Sequence, residues 1–200
     1  MTIVGGIFVG GRGRRMGGVA KGLLVAPDGD TIVARTRSLL EGAGATCVLV
    51  GAHPAYVGID LPVIADDPSA EGPLAGLLAL LVWTEARGAT SAIAFACDMP
   101  FVDGALVRRL VDAPEAPVVA PHHDGFWEPL FARYAIDVLP EARAFAARGE
   151  RKLQRLLDAS KAVPLAVSDE ELHRLRDWDH PGDGLLGGPK PSNQNEPGPR

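Results

Sequence analysis

The chain has 200 residues, is 46 % apolar and carries a net charge of -5, which suits one well-buried domain and gives no basic surface for DNA or RNA. Both cysteines, Cys47 and Cys97, lie in apolar runs, so a disulfide scaffold is not expected and a reducing compartment fits. No apolar stretch is long enough for a bilayer, and the start MTIVGGIFVGG lacks the charged region and cleavage site of a signal peptide, so the expected location is cytoplasmic.

In chain order, Ile3 to Val9 reads as a strand, followed by a Gly/Arg loop. Thr31 to Gly44 reads as a helix, with Ile32, Leu39, Leu40 and Ala43 on one face. Thr46 to Val50 is a second strand, Pro62 to Ala65 a short third, and Leu74 to Ala86 a Leu/Ala-rich helix. Ser91 to Ala96 is a strand ending at Cys97-Asp98-Met99-Pro100, and Asp103 is placed to cap a helix running to about Val111. Ala116 to Ala120 reads as a buried strand, and 136–147 and 152–157 as helical. The segment from Gly182 to Arg200, rich in Gly, Pro, Asn and Ser, reads as a disordered tail behind a single domain over 1–181. Strand-helix alternation of this kind predicts βαβ units and a mainly parallel sheet covered on both faces. Ligands bind such sheets beyond the carboxyl ends of the strands. The loop after Val9 and the acid Asp98 both fall at such ends.

The loop Gly10-Gly11-Arg12-Gly13-Arg14-Arg15-Met16-Gly17-Gly18-Val19-Ala20-Lys21 combines glycines, which let backbone amides approach an anion, with cations that a triphosphate would neutralise. Alone, it reads as well as a basic surface loop. It is not a kinase-type phosphate loop, because Ala20 and Gly22 flank Lys21, and Met16 stands where a dinucleotide fingerprint starting at Gly11 needs glycine.

The run F-V-G-G-R-G-R-R-M-G-G-V-A-K-G-L-L resembles the signature L-A-G-G-x-x-x-R-M-G-G-x-D-K-x-L-L of molybdenum cofactor guanylyltransferases, a branch of the MobA-like nucleotidyltransferases. The resemblance continues in order at Gly72-Pro73-Leu74-Ala75-Gly76, Cys97-Asp98-Met99-Pro100-Phe101, Glu128-Pro129-Leu130 and Gly149-Glu150-Arg151-Lys152, over roughly Ile3 to Asp183. It implies a three-layer α/β/α, Rossmann-like nucleotidyltransferase fold. It also implies that Phe8, Val9, Gly10, Gly11, Arg12, Gly13, Lys21, Asp66 and Asp98 bind nucleotide, with Arg15, Lys21 and Asp98 catalytic. The implied reaction passes GMP from GTP to the phosphate of molybdopterin, with Mg2+ as cofactor. Molybdenum-cofactor insertion proteins or molybdoenzymes are the implied protein partners, with no nucleic acid and no membrane.

Asp98 ends a hydrophobic strand, where an acid needs a partner, and magnesium is one that also binds phosphates; the alternative is a helix cap. Asp66 and Asp67 follow the short third strand, where the family carries an acid that reads the base. The local alignment prefers Asp66, with Asp67 one residue away and a pair of solvated turn acids as the plain alternative. A carboxylate accepts hydrogens from guanine N1 and N2 but also from the cytosine amino group, so cytidylyl transfer stays open. Asp177-Trp178-Asp179-His180-Pro181 stands where the family has Asn-x-Asn-Thr-Pro, and Asp179 becomes a second metal ligand with more charge than Asn, or a source of repulsion without metal. Val9 for alanine, Ala20 for aspartate and Gly51 for an asparagine that contacts nucleotide are further departures, and they keep a non-catalytic binding relative in view. His122-His123-Asp124 point opposite ways on an extended segment and do not suggest one ion site. His53 and His173 lack supporting spacing, Cys97 reads as a small packing residue, and Trp83 reads as core.

Overall fold

The computed structural model describes residues 2–10 and 20–178. Arg12, Gly11, Gly13, Arg15 and Asp179, and the segment 182–200, lie outside the described residues. Among those described, no helix is long and apolar enough to cross a membrane.

Among the described residues, eight strands form one sheet in the order β3-β2-β1-β4-β7-β5-β6, with β8 paired to β5. They are β1 (Ile3–Phe8), β2 (Ala45–Val50), β3 (Val63–Ile64), β4 (Ser91–Ala96), β5 (Val118–His123), β6 (Phe126–Trp127), β7 (Phe131–Ala135) and β8 (Val163–Leu165). The helices are α1 (Ile32–Gly42), α2 (Pro73–Ala86), α3 (Gly104–Asp112), α4 (Leu139–Ala147), α5 (Leu153–Ala159) and α6 (Asp169–Arg174).

Strands β3, β2, β1 and β4 run parallel, as the alternation predicts. The sheet is mixed, however: β7 joins β4 antiparallel, β5 joins β7 antiparallel, and β6 folds back on β5. The turn Asp124-Gly125, with φ of 50° and 79°, closes that hairpin. Expected helix ends are close to those observed. Thr31 is the N-cap of α1 rather than its first residue, accepting from Ala34 N, and Asp103 caps α3 by accepting from Leu106 N. The segment after Ala135 starts as a 3-10 turn, Ile136–Val138, before α4.

Each face of the sheet has its own core. Helices α2, α4 and α5 cover one face through Leu77, Leu80, Leu139, Phe145 and Leu156, while α1 and α3 cover the other through Val33, Leu40, Leu106 and Leu110. This is the three-layer α/β/α arrangement. Alternate side chains of one strand feed opposite cores, as Val4 and Ile7 of β1 do. Helix α2 buries Leu74, Leu77, Leu78, Leu80 and Leu81, so it is apolar nearly all round rather than striped.

One buried charge ties the antiparallel half to α3. Arg133 on β7 is 2 % exposed and donates to the carbonyls of Val111 at 2.6 Å and Pro114 at 2.5 Å. Burial lowers its pKa, while Glu115 and Asp112 oppose that shift. Replacing it removes the only donors shown to these carbonyls from β7. We expect Arg133→Met to lower unfolding free energy by about 3 kcal/mol, measured by urea denaturation; a change within the error of the fit would show that the carbonyls find water instead.

Candidate functional site

Hydrogen-bond register brings the site together. Phe8 pairs with Val50 on one side and Ala96 on the other, and Val50 pairs with Ile64, so four parallel strands end on one rung. The next residues therefore leave the sheet side by side: Val9 and Gly10, Gly51, Ala65 and Asp66, Cys97 and Asp98. The chain order reverses about β1, which has β2 on one side and β4 on the other, with α1 and α2 on opposite faces. That is where open α/β sheets leave a crevice for ligands.

Lys21 and Asp98 meet in this crevice. Lys21 Nζ donates to Asp98 Oδ2 at 2.9 Å, with side chains 16 % and 22 % exposed. The acid at the end of β4 thus has a cationic partner from the Gly/Arg loop, 77 residues away in sequence. It is not a helix cap; Asp103 performs that task for α3. Arg35 on α1 fixes the loop that follows, donating to Pro100 O at 3.0 Å and Val102 O at 2.9 Å. From the far end of the chain, Trp178 N–H donates to Asp98 O at 2.7 Å. The Asp177-Trp178 segment is therefore held against Asp98, and Asp179 is the next residue.

Asp66 and Asp67 separate clearly. Asp67 Oδ1 accepts from Ser69 N at 2.8 Å and Ser69 Oγ at 2.6 Å, and these bonds, the side chain's first, lower its pKa. Its own N–H is spent on Ala75 O. Asp66 instead places its carboxylate beside Gly10 and Gly51: a Cβ built on either glycine would lie 3.9 and 3.8 Å from its oxygens.

Phe8 and Val9 offer the crevice mainly backbone. The Phe8 carbonyl accepts from Cys97 N, and its ring lies against α2, where a Cβ on Gly76 would approach Phe8 Cε1 to 2.8 Å. Val9 is 2 % exposed, with its side chain in the α1 core. Valine in place of alanine is thereby absorbed by packing. Ala20 likewise packs on the core instead of presenting a carboxylate.

Gly51 has a similar explanation. Its φ is +95°, and a Cβ there would stand 2.7 Å from Gly10 Cα and 2.9 Å from Gly10 N. An asparagine has no room without displacing Gly10.

The other motifs are placed around this centre. Gly72, with φ +63° and ψ -150°, precedes Pro73 at the start of α2. Arg151 reaches Glu71 at 2.8 Å, so the Gly149–Lys152 motif adjoins the start of α2. His122 and His123 lie on β5. The His122 ring lies 4.3 Å from that of Trp127, and His123 Nε2 is 3.0 Å from Glu128 Oε1, so their side chains have separate partners. Trp83 is half-buried, with the Arg87 guanidinium 3.2 Å over its ring. Among the described residues, no group of three or more His, Cys, Asp or Glu could hold a metal by itself. Asp98 offers a divalent cation one hard oxygen ligand.

Residues that the motifs did not single out complete the site. Arg35 is one. Tyr56 is the other: it is 3 % exposed, and its hydroxyl accepts from Gly22 N at 3.0 Å. Nothing in the local sequence Pro54-Ala55-Tyr56-Val57 announces that contact. Burial and the nearby Asp98 raise the Cys97 thiol to about 12, consistent with a packing role.

A family model described as the MobA-like NTP transferase domain matches residues 5–163. A molybdenum cofactor guanylyltransferase of Rhodobacter capsulatus is 33 % identical over 177 residues, 88 % of this chain and 90 % of that protein. One of Pseudomonas putida is 35 % identical over 175 residues, covering 83 % and 88 %. The crystal structure of molybdopterin-guanine dinucleotide biosynthesis protein A from Archaeoglobus fulgidus superposes with a TM-score of 0.71 at 25 % identity, covering 92 % and 95 %.

The Gly10–Gly51 contact yields a stability test. Gly44 also has a positive φ, +85°, but nothing within 4 Å of a built Cβ. Gly44→Ala should cost about 1 kcal/mol from backbone strain alone. Gly51→Ala should cost about 1–3 kcal/mol more, because Gly10 must move. Equal losses in denaturation midpoints would mean that the contact relaxes freely.

Proposed function

The chain belongs to the MobA-like NTP transferase domain family, and we propose on that premise that it transfers GMP from GTP to the terminal phosphate of molybdopterin. The observation that carries this reading is the meeting of Lys21, Asp98, Gly10 and Asp66 beyond the carboxyl ends of the parallel strands. The names of relatives 33 and 35 % identical over more than four-fifths of the chain support the same substrates.

A phosphate oxygen of molybdopterin attacks the α-phosphorus of GTP, the bond from that phosphorus to the bridging oxygen breaks, and pyrophosphate leaves. A phosphate monoester has its second pKa at about 6 and is largely dianionic at neutral pH. It therefore needs no protein base. Lys21 neutralises triphosphate charge as pyrophosphate departs. Gly10 and Gly11 admit the phosphates close to the backbone, Arg12 and Gly13 continue the nucleotide-binding loop, and Arg15 adds positive charge at the triphosphate. Asp66 accepts from N1 and N2 of guanine. Asp98, an oxygen donor beside Lys21, would hold Mg2+ together with phosphate oxygens, and Asp179 would add a second carboxylate. The ion supplies further neutralisation of phosphate charge when bound. The reaction suits the cytoplasm, and a molybdoenzyme or a cofactor-insertion protein would receive the product.

Pyrophosphate release with molybdopterin and magnesium, measured in parallel with GTP and CTP, tests the proposal. GTP should support turnover; CTP alone doing so would replace guanylyl with cytidylyl transfer, and neither doing so would leave a binding protein. Lys21→Ala should slow turnover by roughly 100-fold or more with the fold intact. Asp98→Asn should flatten the magnesium dependence, and a wild-type magnesium titration would contradict the metal role. Asp179→Asn should weaken magnesium affinity yet improve metal-free GTP binding, since one like charge facing the phosphates is removed. Calorimetric titration with GTP reads both directions, and a variant that matches the unsubstituted protein both with and without magnesium would put Asp179 outside the metal site.

A further inference from the structure

Lys21 sits in a 3-10 turn, Lys21–Leu23, whose far end is tied to α1 by the bond from Ile32 N to Leu24 O. Its ammonium meets Asp98 at 2.9 Å. Backbone bonds within the turn, from Leu23 N to Ala20 O and Leu24 N to Lys21 O, shape it but do not attach it to β4. The attachment comes from elsewhere. Tyr56 lies in the 3-10 turn Pro54–Tyr56 after β2, and its hydroxyl accepts the N–H of Gly22, the residue after Lys21. The side chain of Cys97, the residue before Asp98, packs against the same Gly22.

Space is as restrictive as the hydrogen bond. A Cβ on Gly22 would stand 3.0 Å from the Tyr56 hydroxyl oxygen, 3.1 Å from its Cε1 and 3.3 Å from Cys97 Cβ. Gly22, Tyr56 and Cys97 are all buried and pack as one unit. The His53 ring meets the edge of the Tyr56 ring with centroids 5.6 Å apart, bracing it from its own turn.

We infer that Tyr56 is a positioning residue: it anchors the backbone beside Lys21 next to the side chain of Cys97, the residue before Asp98, and so sets the distance between the two charges. The inference rests on the proposed role of Lys21 at the triphosphate, and goes beyond it by naming the group that fixes the lysine in place. The effect of Tyr56 passes through Lys21.

A double-mutant cycle on the full chain tests this, with GTP and magnesium as the probe for affinity and pyrophosphate release with molybdopterin for kcat. Tyr56→Phe keeps the ring and deletes one oxygen, leaving the Gly22 N–H without its acceptor. It should lower GTP affinity and kcat by roughly five- to tenfold. In a Lys21→Ala background the same substitution should have no further effect on either quantity, because the group it positions is gone. Thr84→Val is the stability control: it deletes another buried hydroxyl, bonded to Leu80 O at 2.7 Å near the far end of α2, and should reduce thermal stability with kcat and GTP affinity unchanged. If Lys21→Ala is impaired while Tyr56→Phe is either harmless or fully additive with it, the positioning role is overturned and the proposed function stands. If Lys21→Ala retains wild-type affinity and kcat, the proposed function and this inference fall together.

Discussion

The shared last rung of four parallel strands is the constraint on which the site depends. Phe8, Val50, Ile64 and Ala96 stop at one level, so segments separated by tens of residues leave the sheet as neighbours. A slip of one residue in any of these pairings would turn that strand's side chains to the opposite core. Register is therefore enforced by the two apolar layers, and the polar site inherits its geometry from them. Arg35, Tyr56 and the Trp178 backbone then tie the emerging loops together above the rung.

The electrostatics follow from that convergence. Asp98 and Lys21 are both only partly exposed, and each offsets part of the desolvation of the other's charge. Under the proposed function, nucleotide binding exchanges this contact for two others, phosphate for Lys21 and a divalent cation for Asp98. Such an exchange explains how a site of few charged groups can be stable without substrate and still meet a highly charged one.

Much of this was legible in the sequence because the parallel half is encoded locally. Runs such as Ser91 to Ala96 are bounded by clear breakers, and the Gly-rich loop and Asp98 stand at strand ends where the chain pattern puts ligands. The antiparallel half was legible only at Ala116 to Ala120, which overlaps β5. Phe126–Trp127 and Val163–Leu165 are two and three residues long and have no periodicity to read. Phe131–Ala135 contains Arg133, whose burial makes sense only once α3 supplies carbonyls for it. Choosing between Asp66 and Asp67 needed the fold as well, since the Ser69 bonds to Asp67 and the approach of Gly10 and Gly51 to Asp66 are tertiary facts. Gly51 read as a lost contact in sequence, and the close backbone of Gly10 gives it a steric reason instead.

The most direct test is a crystal structure with magnesium and a GTP analogue that resists transfer. The account predicts that Lys21 Nζ leaves Asp98, now 2.9 Å away, to contact the phosphates, and that the guanine edge faces Asp66. Phosphates bound away from the ends of β1 and β4, with the Lys21–Asp98 contact unchanged, would contradict it.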